Sequence, residues 1–587
     1  MTSRFWLAAS MLAFVLMSTP AQSNAALAIS DDLTALAKDM TFTWARLHPM
    51  TATELGIAGY DGQLDVPSLA AQRRDRTLNA RWLRRLYTIA PHAQTLVDRD
   101  DAALLHAKLI RRVREDTVYR TNEKDYSAPA QAIVDVIFTQ FQRVPAGSSS
   151  QGAWKDIIAR MELAPRYIAE GQKLVRHPGH LFGVVGAQGL AGAPDFFTGA
   201  LTDAAKAQLP AAKFQQFVVA RDHLVAILQQ TKAFIDQNAS RWPENYVIGA
   251  RAYNAMLHDE QMLPFNANDV VRMGEDELAH GWAEQAWLES LAASRKTTLG
   301  AQSGGGLAPS GPALIPFYRQ RIAQLREFVT LHDIVTVPDW LGEVQVVETP
   351  KFLQPVQPGA SMQSPRLFSQ ETSGFYFITP PKSFAEAASR LDLYEDFDHD
   401  RILSTAAHEA MPGHFMQLSI ARRHPDFVRR IQDSGVFAEG WAYYGEEMFV
   451  RLGLYGENLD GALDVAQWER IRGARAIVDA RLASGQWSYR EAADFFARET
   501  GAQQGQADAA VAGIALGPGY VISYTVGRLQ LENLLTEYRR RMGTRGSLHD
   551  FHDRLLSYGT TPYAVVRQEL LADLNKSAAQ VRAAANY

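Results

Sequence analysis

His408-Glu409-Ala410-Met411-Pro412-Gly413-His414 is the stretch whose reading decides this chain, and Glu439-Gly440-Trp441-Ala442-Tyr443-Tyr444-Gly445-Glu446-Glu447 answers it downstream. Two imidazoles, a carboxylate beside the first and further carboxylates on a later helical segment are the groups that hold zinc and put water to work. In the common zinc-peptidase helix the histidines stand four apart, so both face one side at ~100° per residue, and the Glu beside the first acts on water. Here the fourth position is Pro412, and His414 follows two residues later. On an unbroken helix that spacing would turn His414 roughly 240° away from His408. Proline removes one backbone hydrogen bond and crowds the carbonyl four residues earlier, which belongs to His408. A kink or bulge is therefore expected near the end of a helix over Arg401 to Met411, with Ile402, Leu403, Ala406 and Met411 facing a core. Gly413 supplies the freedom to complete it, and His414 is expected to return to the face of His408.

A zinc site usually takes a third protein ligand and leaves a position for water. Glu439, preceded by the apolar Val436 and Phe437, is the expected third ligand. Glu446 lies almost on the same helical face and could accept a hydrogen bond from a ligand histidine. Glu447 is turned roughly 80° further and is the weaker candidate. Alone, a histidine at a helix end is mostly structural, and a Glu-Glu pair is mostly a solvated face. Together with the Pro-Gly break and a buried-looking Glu439 they read as one Zn2+ site.

Outward from this centre, Glu343 to Val347 and Gly374 to Thr379 are β-rich and the second is closed by Pro380-Pro381. A small sheet before the metal helix is expected, with Gly374 to Thr379 either a core strand or an edge strand for an extended peptide. From Asp31 to about Ala293 apolar residues recur at three and four, as in Phe214, Phe217, Val218, Leu224 and Leu228, so this half reads as successive helices. Helices resume at Phe384 and run to the C-terminus, with breaks near Gly453, Gly485 and Gly517-Pro518-Gly519. The Gly304 to Pro312 stretch is a loop or linker. It divides an N-terminal helical lobe, 26–300, from a catalytic lobe, 301–587, or is an excursion within one continuous domain.

Arg4, an apolar run from Phe5 to Met17 and small residues to Ala26 read as a signal peptide over 1–25. The run is shorter than the ~20 residues a bilayer span needs, so a periplasmic or secreted protein is expected, with no membrane contact after cleavage. The absence of cysteine excludes disulfides, thiolate ligands, a Cys nucleophile and a lipid-modified cysteine. A net charge of -5 without basic runs argues against nucleic acid. No phosphate loop and no Gly-x-Ser-x-Gly elbow is present.

The chain resembles the bacterial domain-of-unknown-function family numbered 885, placed among gluzincin-like metallopeptidases. The resemblance rests on His408 to His414 with Gln417, and on Glu439 to Ala442. It extends to Pro49, Gly56, Tyr60 and Asp61, to Pro518-Gly519 with Tyr524 and Gly527, and to Phe551-His552-Asp553 with Gly559 and Pro562. It implies a mainly α, two-lobed fold with a deep cleft, similar to angiotensin-converting-enzyme-like peptidases. It also implies His408, His414 and Glu439 as ligands, Glu409 as catalytic base and, by analogy, Tyr524 as oxyanion stabiliser, with Tyr443 and Tyr444 as alternatives. One departure is visible: where the family has Asp-x-Gly-Ile-His-x-x-x-Trp, this chain has Asp479 to Trp487 with Ala483 in the histidine's place.

The expected activity is zinc-dependent hydrolysis of peptide bonds in short peptides. The same residues would serve an amidase acting on a non-protein amide, and a periplasmic binding protein could retain the fold, with Ala483 the one hint in that direction. Arg472, Arg475 or Arg481 could grip a substrate carboxylate, as an exopeptidase requires, or pair with surface acids. His177 and His180 imitate the metal motif without the following Glu and read as a turn. His552-Asp553 could serve the cleft or cap a helix.

Overall fold

The computed structural model describes residues 20–145, 150–296, 313–350, 354, 360–379 and 399–585. The expected apolar leader run, the glycine-rich stretch at 304–312 and the helix start at Phe384 lie outside these residues, and the expected cleavage site at Ala25 falls within the first helix. The chain is mainly helical with one small sheet, as the periodicity requires. Among the helices, with others between them, are α1 (Pro20–Leu47), α2 (Leu96–Arg114), α3 (Ala128–Phe141), α4 (Ser150–Gln172), α5 (Ala211–Asn238), α6 (Ala267–Arg295) and α7 (Leu314–Leu331). After the strands come α8 (His399–Glu409), α9 (His414–Ala421), α10 (Gly435–Arg451), α11 (Asp460–Ala483), α12 (Ile522–Met542), α13 (Leu548–Ser557) and α14 (Tyr563–Ala585). Among the described residues no helix is long and apolar enough to cross a membrane.

The sheet has three strands, β1 (Val344–Glu348), β2 (Ala360–Gln363) and β3 (Gly374–Ile378), in the order β1-β3-β2. β3 pairs parallel with β1 and antiparallel with β2, so Tyr376 faces Val346 on one side and Met362 on the other. Of the two expectations for this strand, core or peptide-binding edge, the first holds: it is the central one, with both ladders already filled. The reason is legible in Phe375-Tyr376-Phe377-Ile378: a continuously apolar strand must bury both faces. Tyr376 and Ile378 enter the core that holds the helices on either side of Pro412, while Phe377 enters a second core built from α3, α4 and α5.

These cores span the sequence. The largest draws Tyr253, Val270 and Leu325 together with Phe415, Phe437, Val526 and Phe551. Another joins Leu36, Trp82 and Leu105 to Val428 and Val565. α6 lies along α11, and α10 along α12. The second crossing is set by two glycines: a Cβ on Gly440 would lie 2.5 Å from the Gly527 carbonyl carbon, and one on Gly527 would lie 2.1 Å from the Val436 oxygen. Glycine at both places lets the two backbones touch, which brings Glu439 and Tyr524 to the same site.

Candidate metal centre

The metal motif ends one helix and begins the next. α8 stops at Glu409, and His414 is the first residue of α9. Both histidines had been expected on a single distorted helix, but Pro412 has no N–H to continue the ladder, and the turn closes through longer bonds, Met411 N–H to the Ala406 oxygen at 3.2 Å and Gly413 N–H to the Ala407 oxygen at 3.1 Å. A Cβ on Gly413 would lie 1.8 Å from the His408 carbonyl oxygen, so only glycine fits this reversal. The Trp441 indole N–H, buried on α10, donates to the Pro412 carbonyl at 2.8 Å and satisfies an oxygen that the broken helix leaves free.

The result is a convergence of three donors. Glu439 Oε2 lies 3.3 Å from His408 Nε2 and 3.2 Å from His414 Nε2. One ligand atom from each residue lies within 4.8 Å of the others, the one such group of three or more among the described residues. The imidazole planes cross at 89° with centroids 4.7 Å apart, so the two rings point at one locus from different directions. Glu439 Oε2 is buried yet makes no well-formed hydrogen bond, despite its two close neighbours. Three potential donor atoms gathered in this way fit a cation, and the two-nitrogen, one-carboxylate set suits zinc.

Behind the ligands, His408 Nδ1 donates to Glu446 Oε1 at 2.6 Å. An ionised carboxylate only accepts, so Nδ1 carries a proton, and Nε2 is the nitrogen turned to the locus, the one that would face a cation. Glu446 is held in turn by both guanidinium nitrogens of Arg472, at 2.8 and 2.7 Å. Burial alone would lower the basicity of His408, but its hydrogen bonds to the Glu439 and Glu446 carboxylates outweigh this and raise its pKa to about 10. Burial raises the Glu439 pKa, and His414 and His408 overcome this and hold it well below the ordinary carboxylate range. Glu409, half-buried beside His408, has its pKa raised by burial, which the two histidines only partly offset.

Arg472 is expected to be the most sensitive of the supporting residues. Arg472→Met leaves Glu446 buried without its bidentate guanidinium partner, and a loss of about 3–5 kcal/mol should appear in urea unfolding. Arg472→Lys keeps the charge and should recover part of it. An unchanged midpoint in Arg472→Met would remove the pair from the account of the site.

Two tyrosines complete the surroundings. The Tyr524 ring stacks on His408, 5.9 Å between centroids at 21°. Tyr520 donates its hydroxyl to Glu439 Oε1 at 2.8 Å, a partner the sequence reading missed. Its signal was available: Tyr520 stands one helical turn before Tyr524, so both can face one side. The Gly517-Pro518-Gly519 turn that presents them is anchored by buried Asp479, which accepts the Gly519 N–H at 3.0 and 2.9 Å and the Tyr253 hydroxyl at 2.7 Å.

Burial pushes Asp479 up to about 7, with Tyr253 and Gly519 offsetting it only in part. A carboxyl whose folded pKa exceeds its unfolded value stabilises the fold fully below the unfolded value, ~3.9, and loses that contribution as pH rises through the folded one. Wild-type stability should therefore fall by on the order of 3 kcal/mol relative to Asp479→Asn between pH 4 and 8. Parallel pH profiles of the two proteins in urea would show that the carboxyl does not titrate in this window.

Other candidates go elsewhere. Glu447 faces Arg528 at 2.9 Å, away from the ligands. His552 is buried between the Ile334 carbonyl, 2.8 Å, and the Tyr444 hydroxyl, 3.0 Å, and burial lowers its pKa to about 4, so it is a neutral core histidine. Asp553 accepts from Thr336, and His180 contacts the Ala239 carbonyl at 2.7 Å. Of the three arginines, Arg472 is consumed by Glu446, and Arg481 lies 3.5 Å from Glu275, while Arg475 rests against Trp468 at 5.5 Å. Ala483 is a core methyl at the end of α11, and its carbonyl accepts the Ile248 and Gly249 N–H groups at 3.2 and 2.9 Å.

A cleft of about 460 Å³ abuts the cluster, bordered by Gly435 and Val436 one turn before Glu439, and by Tyr520 and Ser523. That is a volume suited to a small ligand.

No curated protein matches the chain at a significant level. Solved structures do match its fold. One, a proposed lipoprotein of unknown function from Shewanella oneidensis, is 20% identical with a TM-score of 0.72, covering 92% of this chain and 99% of that one. Another, a proposed lipoprotein from Colwellia psychrerythraea, is 18% identical with a TM-score of 0.75, covering 93% and 99%. The family model described as "Bacterial protein of unknown function (DUF885)" matches residues 49–570, and with the motifs and the helical architecture in place the chain belongs to that family.

Proposed function

We propose that this protein is a zinc-dependent hydrolase that cleaves peptide bonds, acting on short peptides in an exported setting. The observation that carries the proposal is the meeting of His408 Nε2, His414 Nε2 and Glu439 Oε2 at one locus, with the free carboxylate of Glu409 beside it. When bound there, zinc supplies Lewis acidity, which polarises a carbonyl and acidifies water. Glu409 takes the proton of the attacking water on a carboxylate oxygen and delivers it to the departing amine, a task its raised pKa suits. The phenol of Tyr524, stacked on His408, is placed to donate to the developing oxyanion. Tyr520 and Glu446, by hydrogen bonding Glu439 and His408, fix the directions in which the ligand atoms point.

The test is metal analysis of the purified protein, followed by incubation with a mixed peptide library read by mass spectrometry. One zinc per chain and defined cleavage products are expected. Zinc retained without cleavage of any peptide would move the assignment to an amidase on a non-protein amide or to a binding protein.

A further inference from the structure

The cleft beside the metal cluster carries six charged side chains on its lining, and five of them are accounted for. Glu260 accepts from the Tyr119 hydroxyl at 2.5 Å and from Arg114 at 3.1 Å. Asp433 is met by Lys108 at 2.9 Å and more distantly by Arg111 at 3.9 Å. Glu115 accepts the Thr121 N–H at 3.3 Å. Lys124 is the sixth, and among the described residues its ammonium has no hydrogen bond or ion pair, although the residue is half-buried in the cleft wall.

Its backbone is not loose. The Lys124 N–H bonds to the Thr121 oxygen at 2.9 Å, and its carbonyl accepts the Gly179 N–H at 3.0 Å, so the side chain projects from a pinned turn. A half-buried ammonium without a contact partner is open to an anion, because the wall withdraws part of its hydration and the nearby Glu115 carboxylate acts on it only from beyond hydrogen-bond and ion-pair reach. Tyr520, whose hydroxyl touches Glu439, lines the same cleft. A ligand filling the cleft would therefore span from the proposed reaction centre towards Lys124.

Resting on the hydrolase reading above, we propose that Lys124 binds a carboxylate of the peptide substrate, which makes a free acid at a set distance from the scissile bond a requirement for tight binding. The carboxylate comes either from the C-terminus, which would make the enzyme a carboxypeptidase-type exopeptidase, or from an acidic side chain.

The test measures binding rather than turnover. Zinc-loaded Glu409→Gln protein is titrated by calorimetry with pentaalanine, with pentaalanine amide, and with Ala-Ala-Glu-Ala-Ala amide. Pentaalanine is expected to bind at least about tenfold more tightly than its amide, the worth of one charge-assisted contact. Lys124→Gln in the same background should bring the two within about twofold, and Lys124→Arg should keep most of the preference, with thermal melting confirming that both variants fold. If pentaalanine alone outbinds its amide the carboxylate is terminal; if the glutamate peptide alone does so the carboxylate is a side chain's; if both do, either serves. Equal affinities for all three peptides, no binding of any, or a preference that survives Lys124→Gln overturns the inference. Hydrolysis of acids and amides at equal rates by the wild-type enzyme would sink it while leaving the hydrolase reading intact. A carboxylate preference in binding with no peptide ever cleaved would do the reverse.

Discussion

Glu409→Gln should lower peptide hydrolysis by about 10³-fold while leaving the zinc content of the protein unchanged. The substitution keeps the size and shape of a half-buried side chain and removes only its ability to hold a proton. Glu409 is not among the three converging donors, so the metal has no reason to leave. Its position next to His408, at the last residue of α8, places the carboxylate where the helix ends and the Pro412-Gly413 turn begins. The variant is read by metal analysis and by rate on the same preparation. Hydrolysis that persists in it would mean another group takes the proton.

Glu439→Gln should weaken zinc binding by well over the ~100-fold that loss of a supporting hydrogen bond costs, because it removes a charged ligand. The amide keeps the bond with Tyr520 and the packing of α10, so circular dichroism should be unchanged. The effect arises from charge: the Glu439 carboxylate, which neighbouring His414 and His408 hold well below the ordinary pKa despite its burial, is the negative member of the set. Competition with a chromophoric chelator measures the affinity directly. Stoichiometric, tightly held zinc in Glu439→Gln would show that the third ligand is something else.

The local chemistry of the centre was readable because its parts obey local rules. A proline inside a helix has one set of consequences, and Pro412-Gly413 announces a break whatever surrounds it. Whether that break is a kink or a full stop was not readable. The structure makes it a stop, in which Trp441, from a helix well downstream, satisfies the Pro412 carbonyl. In the same way Gly374 to Ile378 was legible as a strand, but its place in the centre of the sheet depends on β2 (Ala360–Gln363), a short, weakly patterned partner that had no strand signal of its own.

The supporting residues divide along the same line. Glu446 was placed by helical phase relative to Glu439, and it bonds to His408. Arg472 and Tyr520 come from α11 and from the turn before α12, and nothing in their neighbourhood says which carboxylate they will meet. Arg472 had been one of three candidates for gripping substrate; its burial against Glu446 gives it to the protein itself. Lys124 carries no motif at all, and its relation to the cluster exists only through the shared cleft.

By itself, then, the sequence determined the mainly helical class, the small sheet, the break at Pro412 and the residue types of the centre, since periodicity, proline geometry and ligand chemistry act over a few residues. Tertiary structure alone decided how α10 and α12 touch through Gly440 and Gly527, where Glu439 Oε2 stands between two imidazoles, and which charges pair or stay free. Those outcomes depend on the approach of segments far apart in the chain, and that approach is set by the sum of packing across cores that no single stretch encodes.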